Sequence, residues 1–276
     1  MTDILLIKKQ DFQDYKNILY KIKKNFGLFI RNIASDIIKR KNISLALEKI
    51  RQYFGKNPNP YDMFDFLMDL SEKRGIKSHF FFMSGGTSKF DNNFSINQPF
   101  VKKIREKIRS RGHLIGFHPS YNSYNNQKQW EEEYFILSTE ISQKVKIGRQ
   151  HYLRFEIPTT WQIWEDNNMK WDSTLSYADK EGFRCGTCYE YSVFNILSRK
   201  KLKLKEMPLE VMEGSLVDYQ KLPPEKVEEK ITKLIEKVKK YNGSFVLLWH
   251  NSNFSGELWS KYKIVYGEIL KYGSCL

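Results

Sequence analysis

The sequence predicts an α/β protein folded as one barrel-like domain. Segments with helical spacing of apolar residues alternate with short apolar runs along most of the 276 residues. The run 244–249 is almost continuously apolar, which is typical of a parallel strand covered by helices. No internal repeat or low-complexity linker divides the chain, so we expect a single domain over residues 1–276.

The first part of the chain is predicted to be helical. Apolar residues recur at helical spacing from Ile18 to Phe54, and a turn with the sequence Asn57-Pro-Asn-Pro60 follows. We therefore expect a helical insertion or extension at about residues 11–56.

The helices that follow have boundaries that residue chemistry explains. The first ends at Gly75, the second at Gly112, and the last begins at Pro223-Pro224, which fits a first helical turn. Three glutamates near the start of the last helix suit its positive end. The predicted helices are Tyr61–Arg74, Pro99–Arg111, Gln127–Val145, Pro158–Asn168 and the helix that ends at Asn242-Gly243.

The apolar runs between these helices are predicted to be strands. Most are short and consist mainly of apolar residues that are usually buried. One run contains Pro208, which interrupts the strand because proline has no N–H to donate to a neighbouring strand. The predicted strands are Lys77–Met83, His113–His118, Met169–Leu175, Lys203–Met212 and Ser244–Trp249.

Composition narrows the class of protein. The formal net charge is +14, from 46 Lys and Arg against 32 Asp and Glu. An ordinary lysine-rich surface explains this charge, and attraction to an anionic partner is the alternative; nucleic acid is an unlikely partner because the charges are dispersed. No apolar run reaches the roughly 20 residues of a membrane span, and the amino terminus has no secretory pattern. We expect a cytoplasmic protein.

Three cysteines do not form a disulfide framework. Cys185-Gly-Thr-Cys188 is a C-x-x-C pair without the second pair that a structural zinc site needs. A turn after a strand is the favoured interpretation, and a redox or metal role is the alternative.

Reactive side chains stand where four apolar runs end. They are His118, Arg149, Asp172 and His250. Because the carboxyl ends of parallel strands meet at one crevice, we expect one active site assembled from distant segments. The pattern indicates an enzyme and favours a hydrolase.

The residue types suggest roles and leave alternatives open. His118 and Asn122 lie four positions apart and offer an imidazole and an amide oxygen to a divalent ion, although a buried, hydrogen-bonded histidine is the alternative. Arg149 can orient a carboxylate such as Asp172, or lie on the surface. His250 can act as a general acid.

Together these segments resemble the polysaccharide deacetylase (NodB-homology) superfamily, in the branch found in bacterial surface-polysaccharide gene clusters. The resemblance runs from about residue 60 to about residue 252. It is carried by four phrases: Pro60-Tyr-Asp-Met-Phe-Asp-Phe-Leu-Met, Gly116-Phe-His-Pro-Ser-Tyr, Gly148-Arg-Gln-His-Tyr-Leu-Arg-Phe and Asp172-Ser-Thr-Leu-Ser-Tyr-Ala-Asp-Lys-Glu-Gly-Phe-Arg-Cys-Gly-Thr-Cys.

The resemblance implies a distorted (β/α) barrel, commonly with seven strands, and a metal-dependent hydrolase of carbon–nitrogen bonds other than peptides. The substrate would be an N-acetylated sugar of a surface polysaccharide or its precursor, which loses its acetyl group. His118 would bind a divalent metal, with zinc as the first choice, and Asn122 stands where the family has a second ligand histidine. Arg149 would hold the base aspartate, the Tyr152 N–H would bind the oxyanion, and His250 would protonate the leaving amine.

The chain departs from the family at its first strand. The family has aspartates there that act as base and metal ligand, whereas here Asp3 is the one candidate and Leu5 stands where the second would fall. Three aromatic residues near the crevice, Tyr121, Trp161 and Trp249, are candidates for stacking on sugar rings, with core packing as the alternative for Trp249.

Three functions therefore remain open. The first is the metal-dependent carbohydrate deacetylase. The second is a catalytically inactive protein of the same fold that binds a glycan or a partner. The third is a binder of anionic polymers that uses the positive charge.

Overall fold

A mainly parallel sheet, a smaller parallel sheet and the helices around them make up the described fold. The computed structural model describes residues 62–91, 95–254 and 259–274, the first strand, and isolated helical positions between residues 30 and 50. The strands are β1 (Leu5–Leu6), β2 (His79–Phe82), β3 (Leu114–Phe117), β4 (Ile147–Gly148), β5 (Trp171–Asp172), β6 (Tyr191–Asn195), β7 (Lys200–Glu206), β8 (Val211–Met212) and β9 (Leu247–Leu248).

Longer helices connect these strands, and two short helical turns lie near their ends. The helices are α1 (Phe64–Glu72), α2 (Pro99–Ser110), α3 (Gln127–Glu140), α4 (Thr159–Asp166), α5 (Pro224–Lys240) and α6 (Tyr262–Gly273). The short turns are a 3₁₀ turn at His151–Leu153 and a π-helical turn at Ser215–Tyr219. No helix within the described ranges is long and apolar enough to cross a membrane.

The larger sheet has seven strands in the order β1-β2-β3-β4-β5-β7-β6. All of its pairs are parallel except β6 and β7, which form an antiparallel hairpin at one edge. Strands β8 and β9 pair in parallel as a second sheet. The predicted α/β class is therefore confirmed, with a mainly parallel sheet.

Most predicted elements occur at the expected places. The prediction missed the hairpin strand β6 and helix α6, and it placed the end of α3 at Val145, whereas α3 ends at Glu140. The runs predicted as strands around β5 and β9 are longer than the two-residue strands observed, because their apolar residues are buried beyond the hydrogen-bonded ladder.

The predicted helical segment at residues 11–56 lies largely outside the described residues. The nine positions that are described there are helical: Ile30, Ile33, Ala34, Ile37, Ile38, Ile43, Ala46, Leu47 and Ile50. Ile33, Ala46 and Ile50 pack together in a small apolar cluster.

The core lies between the helices and the larger sheet, and a second apolar cluster lies against both sheets. That second cluster joins Phe81 of β2, the β7–β8 connection, Val246, and Leu248 of β9. Its five buried members are Phe81, Met207, Leu209, Val246 and Leu248. The two sheets therefore share one apolar interior.

Three buried glutamates hold the segment from β7 to β8 against its neighbours. Glu206 accepts the N–H of Leu175, and Glu210 accepts the N–H of Val246, at 2.8 and 2.7 Å. Glu213 accepts the N–H of His250 at 2.8 Å. These bonds lie on either side of Pro208, which interrupts the strand as predicted.

The C-x-x-C pair lies in the turn region before β6, as the favoured interpretation predicted. Cys185 and Cys188 are both free thiols, and burial raises the pKa of each. Gly186 between them has a φ of 68°, which glycine adopts without strain.

We expect Gly116→Ala to lower the free energy of unfolding by about 1–3 kcal/mol, because the added methyl group would overlap the buried Phe81 ring. Urea unfolding followed by circular dichroism measures this. Gly267→Ala is the matched control: nothing lies near its added Cβ in α6, and alanine in a helix should raise the free energy of unfolding by about 0.5–1 kcal/mol. A wild-type unfolding midpoint in Gly116→Ala would contradict the packing described.

Candidate active site

Parallel register brings reactive residues to one end of the larger sheet. Phe117 of β3 is level with Gly148 of β4, which is level with Asp172 of β5. His118 and Arg149 are the next residues of β3 and β4, so both lie at the carboxyl ends, as predicted. The N–H of Arg149 donates to the Phe117 carbonyl at 3.0 Å, which fixes this alignment.

An open cleft of about 240 Å³ lies beside these strand ends. Its walls come from the 3₁₀ turn after β4, from the end of β8 with the following π-helical turn, and from the segment after β9. The lining residues are Gln150, His151, Tyr152, Leu153, Ala178, Met212, Gly214, Asp218, Tyr219, Leu248, His250 and Asn253. Segments that are distant in the sequence therefore meet at one cleft. Its volume is sufficient for one group of the size of a sugar ring.

His250 is held in the cleft by a buried carboxylate. Its Nδ1–H donates to Glu213 Oε1 at 2.5 Å, and its backbone N–H donates to the same oxygen at 2.8 Å. The Nδ2 of Asn253 donates to that oxygen as well, at 2.8 Å. A carboxylate on Nδ1 sets the tautomer and ring orientation, and it leaves Nε2 as the nitrogen that exchanges a proton with a substrate.

His118 is buried, with 1% of its surface exposed. Its Nδ1–H donates to the Arg149 carbonyl at 2.5 Å, and its Nε2 has no hydrogen-bond partner among the described residues. Burial and the nearby imidazole of His151 lower the pKa of His118 well below its usual value, so the ring is neutral. A neutral imidazole whose Nδ1 is held by a carbonyl and whose Nε2 is unsatisfied has the state of a metal ligand.

The ligands that should accompany His118 are not assembled around it. Asn122 is exposed, and its Oδ1 accepts a hydrogen bond from Arg154 at 3.2 Å. Asp3 lies outside the described residues. Within the described ranges, no group of three or more His, Cys, Asp or Glu side chains is arranged to hold a metal ion. His118 alone therefore fits the metal site that the resemblance implies, and the described residues do not complete that site.

A second imidazole lies against His118. The His151 ring meets the His118 ring edge to face, with 4.9 Å between centroids. Its Nδ1 pairs with Asp91 Oδ1 at 3.1 Å. Hydrogen bonds from His151, the Tyr121 N–H and the Ser88 N–H outweigh burial and lower the pKa of Asp91, which stays ionised.

Arg149 and Asp172 are both fully buried beneath the cleft. Arg149 donates from Nε to the Ser173 carbonyl at 2.6 Å and from Nη2 to Ser173 Oγ at 2.7 Å. Asp172 accepts from Thr174 Oγ1 and forms a buried carboxyl pair with Glu206. Asp172 does not line the cleft, and these buried contacts give it a structural role; its catalytic role stays a prediction.

Burial sets the protonation of this carboxyl pair. Burial raises the pKa of Asp172 to about 7. Burial and the charge of Asp172 together raise the pKa of Glu206 well above its usual value. Two carboxyls in contact cannot both ionise cheaply, so the pair retains a proton near neutral pH.

The two candidate tryptophans pack in the core. Trp249 stacks on Phe254 with 5.6 Å between ring centroids, which is the core-packing alternative. Trp161 is buried against Phe155 and donates from Nε1 to Glu206 at 3.1 Å. Neither ring lines the cleft, so the structure gives neither a sugar-stacking face.

Exposed aromatic rings stand at the cleft rim instead. Tyr152 lines the cleft, is 54% exposed, and has a left-handed backbone with a φ of 58°. Phe90 and Tyr121 lie 5.4 Å from its ring, centroid to centroid. Tyr121 is half-buried because the Arg154 guanidinium covers its ring at 4.1 Å. Tyr152 and Phe90 therefore offer more open ring surface than Tyr121.

Sequence reasoning missed four residues of this region. Asp91, His151 and Glu213 act through pairs that are distant in sequence, and Phe90 lies in a loop without periodic pattern. A usable signal existed for Glu213, since Glu206, Glu210 and Glu213 interrupt an apolar run where charged side chains are costly. His113 has a structural role: it accepts the Ser78 N–H and pairs with Glu72 at the opposite strand ends.

The fold is shared with solved structures of polysaccharide deacetylases. A protein from Mycobacterium smegmatis described as a polysaccharide deacetylase is 11% identical, with a TM-score of 0.56 over 98% of this chain and 83% of that chain. One from Pseudomonas aeruginosa PAO1 with the same description is 11% identical, with a TM-score of 0.54 over 77% and 67%.

An allantoinase named Puue has the fold as well. It is 11% identical, with a TM-score of 0.57 over 85% of this chain and 71% of that chain. No protein-family model and no curated protein matches the sequence. The likeness agrees with the mixed α/β fold and its mainly parallel sheet, and at these identities it concerns the fold alone.

We expect Glu206→Gln to change how stability depends on pH. Folding raises the pKa of Asp172 from 3.8 to about 7. The stability that this protonated group contributes is therefore fully present at pH values below 3.8 and is lost as the pH rises through about 7. Glu206→Gln removes the repulsion between the two carboxyls. As the pH rises from about 5 to about 8, the free energy of unfolding of the variant relative to that of wild type should therefore increase by on the order of 1–3 kcal/mol. Urea unfolding at both pH values measures this gain. The exposed Glu225→Gln is the control, and an equal pH dependence in all three proteins would exclude the shared proton.

Proposed function

We propose that this protein hydrolyses the amide bond of an N-acetylated sugar in a surface polysaccharide or its precursor. The observation that carries the proposal is the His250–Glu213 pair in the wall of the cleft. A histidine whose Nδ1 is bound by a carboxylate is equipped to give a proton from Nε2 to a leaving nitrogen. The deacetylase fold and the position of the pair at the strand ends support the same reaction class.

The chain's own groups divide the reaction as follows. Water attacks the acyl carbon and gives one proton to the unprotonated Nε2 of His250, while the backbone N–H of Tyr152 stabilises the acyl oxygen that becomes negative. The carbon–nitrogen bond then breaks while protonated His250 gives its Nε2 proton to the nitrogen. Glu213 stabilises the imidazolium before this transfer. The products are acetate and a free amine on the sugar.

Sugar recognition is assigned to the aromatic rim. Tyr152 and Phe90 expose ring faces beside the cleft, and such faces pack against the apolar C–H surface of a sugar ring. Tyr121 supports Tyr152 from behind and is held by Arg154. The acyl group would then enter the cleft towards His250.

The two sheets are proposed to be parts of one distorted barrel. Only Met207–Glu210 separates β7 from β8, and Pro208 lies between them. The Leu209 N–H donates to the Leu175 carbonyl and the Glu210 N–H to the Val246 carbonyl, so this connection bridges both sheets. Counting β7 and β8 as one bent strand gives seven parallel strands around the shared apolar interior, the number that the resemblance implies.

A divalent metal, zinc first, is proposed as cofactor with His118 Nε2 as one ligand. A bound metal would polarise the acyl oxygen and its own water. The remaining ligands implied by the resemblance, Asn122 and Asp3, are respectively bound to Arg154 and outside the described residues. The steps above are therefore assigned to His250, Glu213 and Tyr152 alone.

Glycan binding without turnover is the second candidate function. The engagement of Asn122 by Arg154 favours it, because the family's second ligand position then serves the protein's own loop. The open aromatic rim would serve such a binder equally well. The two functions differ in metal content and in release of acetate.

We expect His250→Gln to lower the rate of acetate release from N-acetylglucosamine oligosaccharides by about 10²–10⁴-fold, because the leaving nitrogen loses its proton donor. Glu213→Gln should lower the rate by a smaller factor, because the ring remains but its charge is no longer stabilised. His113→Gln is the matched control, since His113 also pairs with a glutamate but lies at the opposite strand ends. Wild-type turnover in His250→Gln would remove His250 from the mechanism.

We expect purified protein loaded with zinc to retain close to one equivalent after dialysis, and His118→Ala to lose it. Elemental analysis measures the metal, and His113→Ala should retain it. Asn122→Ala tests whether the Asn122 amide is a metal ligand. If the amide only accepts the hydrogen bond from Arg154, the variant should retain as much zinc as wild type. No retained metal under any loading would favour glycan binding without turnover.

A further inference from the structure

The β6–β7 hairpin presents an apolar tip to solvent. Its turn contains Ile196, which is 58% exposed, and Leu197, which is 80% exposed. Phe194 at the end of β6 is exposed beside them. Exposed apolar side chains at adjacent positions form a continuous apolar surface, which is typical of an interaction site.

A buried side chain fixes the shape of this tip. Asn195 Oδ1 accepts the N–H groups of Leu197 and Ser198, both at 3.0 Å. Asn195 Nδ2 donates to Gln162 of α4 at 2.6 Å, which ties the turn to the body of the protein. The tip is therefore held in place before any partner arrives.

Unpaired cations follow the apolar tip along β7. The exposed side chains of Arg199, Lys200, Lys201 and Lys203 form no ion pair with the described residues. From residue 191 to residue 205 the sequence contains no Asp or Glu.

The nearest acidic side chains are already engaged. Glu190 pairs with Lys205, and Glu165 accepts the backbone N–H groups of Lys203 and Leu204 at 3.1 and 2.7 Å. The lysines of α5 differ from those of the hairpin, because several pair with glutamates: Lys226, Lys230 and Lys233. The hairpin therefore keeps its positive charge for an external partner.

The tip lies at the end of the sheet opposite the cleft. Lys205 of β7 is level with Trp171 of β5, so the five residues from Lys200 extend roughly 16 Å beyond that level at about 3.3 Å per residue. Lys146 and Lys170 immediately precede β4 and β5 at the same end and add positive charge there.

We propose that this hairpin docks on the surface of an anionic lipid bilayer, with Ile196 and Leu197 inserted among the lipids and the neighbouring cations on the headgroups. Two exposed aliphatic side chains beside a run of cations suit a bilayer interface. Single-stranded nucleic acid instead stacks successive bases on several aromatic rings, and Phe194 is the one exposed ring in this hairpin turn, less exposed than Ile196 and Leu197. Docked in this way, the cleft faces away from the membrane. The inference does not depend on the proposed reaction.

The test is co-sedimentation of the full chain with phosphatidylcholine vesicles, with and without phosphatidylglycerol. We expect binding to the anionic vesicles that weakens as salt is raised. Leu197→Ser should weaken binding about tenfold through lost apolar insertion, and Lys200→Glu/Lys201→Glu about tenfold or more through lost headgroup attraction. All these positions are exposed, so folding should be preserved, which circular dichroism checks.

Phe135→Ser is the matched control. Phe135 is 71% exposed on α3 but follows Glu131 and Glu132 rather than cations, so its loss should leave vesicle binding unchanged. Absence of wild-type binding, or equal binding by wild type and both hairpin variants, would overturn the proposal. A change of oligomeric state in the hairpin variants without vesicle binding would overturn it in favour of a protein interface.

Discussion

Buried glutamates that bind backbone N–H groups hold the two sheets of this protein together. A strand that contains Pro208 cannot form a complete hydrogen-bonded ladder, because proline has no N–H and bends the chain. Glu206, Glu210 and Glu213 supply acceptors along the interrupted stretch. Each carboxyl group is buried, so the cost of its desolvation is offset by the hydrogen bonds it accepts. The candidate active site depends on the last of these bonds, since Glu213 positions both the backbone and the ring of His250.

Carboxylate–imidazole pairs occur at both ends of the strands, and their surroundings determine what they do. Glu72 and His113 join α1 to the start of β3, at the strand ends opposite the cleft. Asp91–His151 and Glu213–His250 lie at the carboxyl ends, where loops leave a cleft. The same chemical pair therefore stabilises a helix contact at one end and presents reactive nitrogens at the other. Sequence alone does not separate these cases, because the partner glutamate or aspartate is far away in the chain.

The part of the fold that follows from local pattern was predictable. Helices α2 and α5 have strong apolar stripes and prolines at their first turns, and their ends were predicted closely. The ends of β3, β4 and β9 were predicted too, because reactive residues follow apolar runs directly. The hairpin strand β6 was missed, since its single buried face gives a weak alternating signal.

Only those site residues that are recognisable from their own position in the sequence could be predicted. His118 and His250 were found from their positions after strands. Asp91 and Glu213 were not, because they act on residues 60 and 37 positions away. The two tryptophans were predicted to bind sugar but pack in the core. The sequence identifies an aromatic residue but does not show whether its ring faces the core or the cleft. Trp249 became core because Phe254 and Tyr266 pack on it.

The β6–β7 hairpin has a further consequence for behaviour in solution. β6 is the last strand of the larger sheet, so its outer edge pairs with no described strand. An open edge is a template on which a second chain can add, and like-charged lysines oppose that addition by repelling another copy. The cations of β7 lie one strand in from this edge and would therefore oppose the pairing of two copies of the chain. Removing them without replacement charge would expose an adhesive edge, whereas reversing their sign preserves the repulsion between copies.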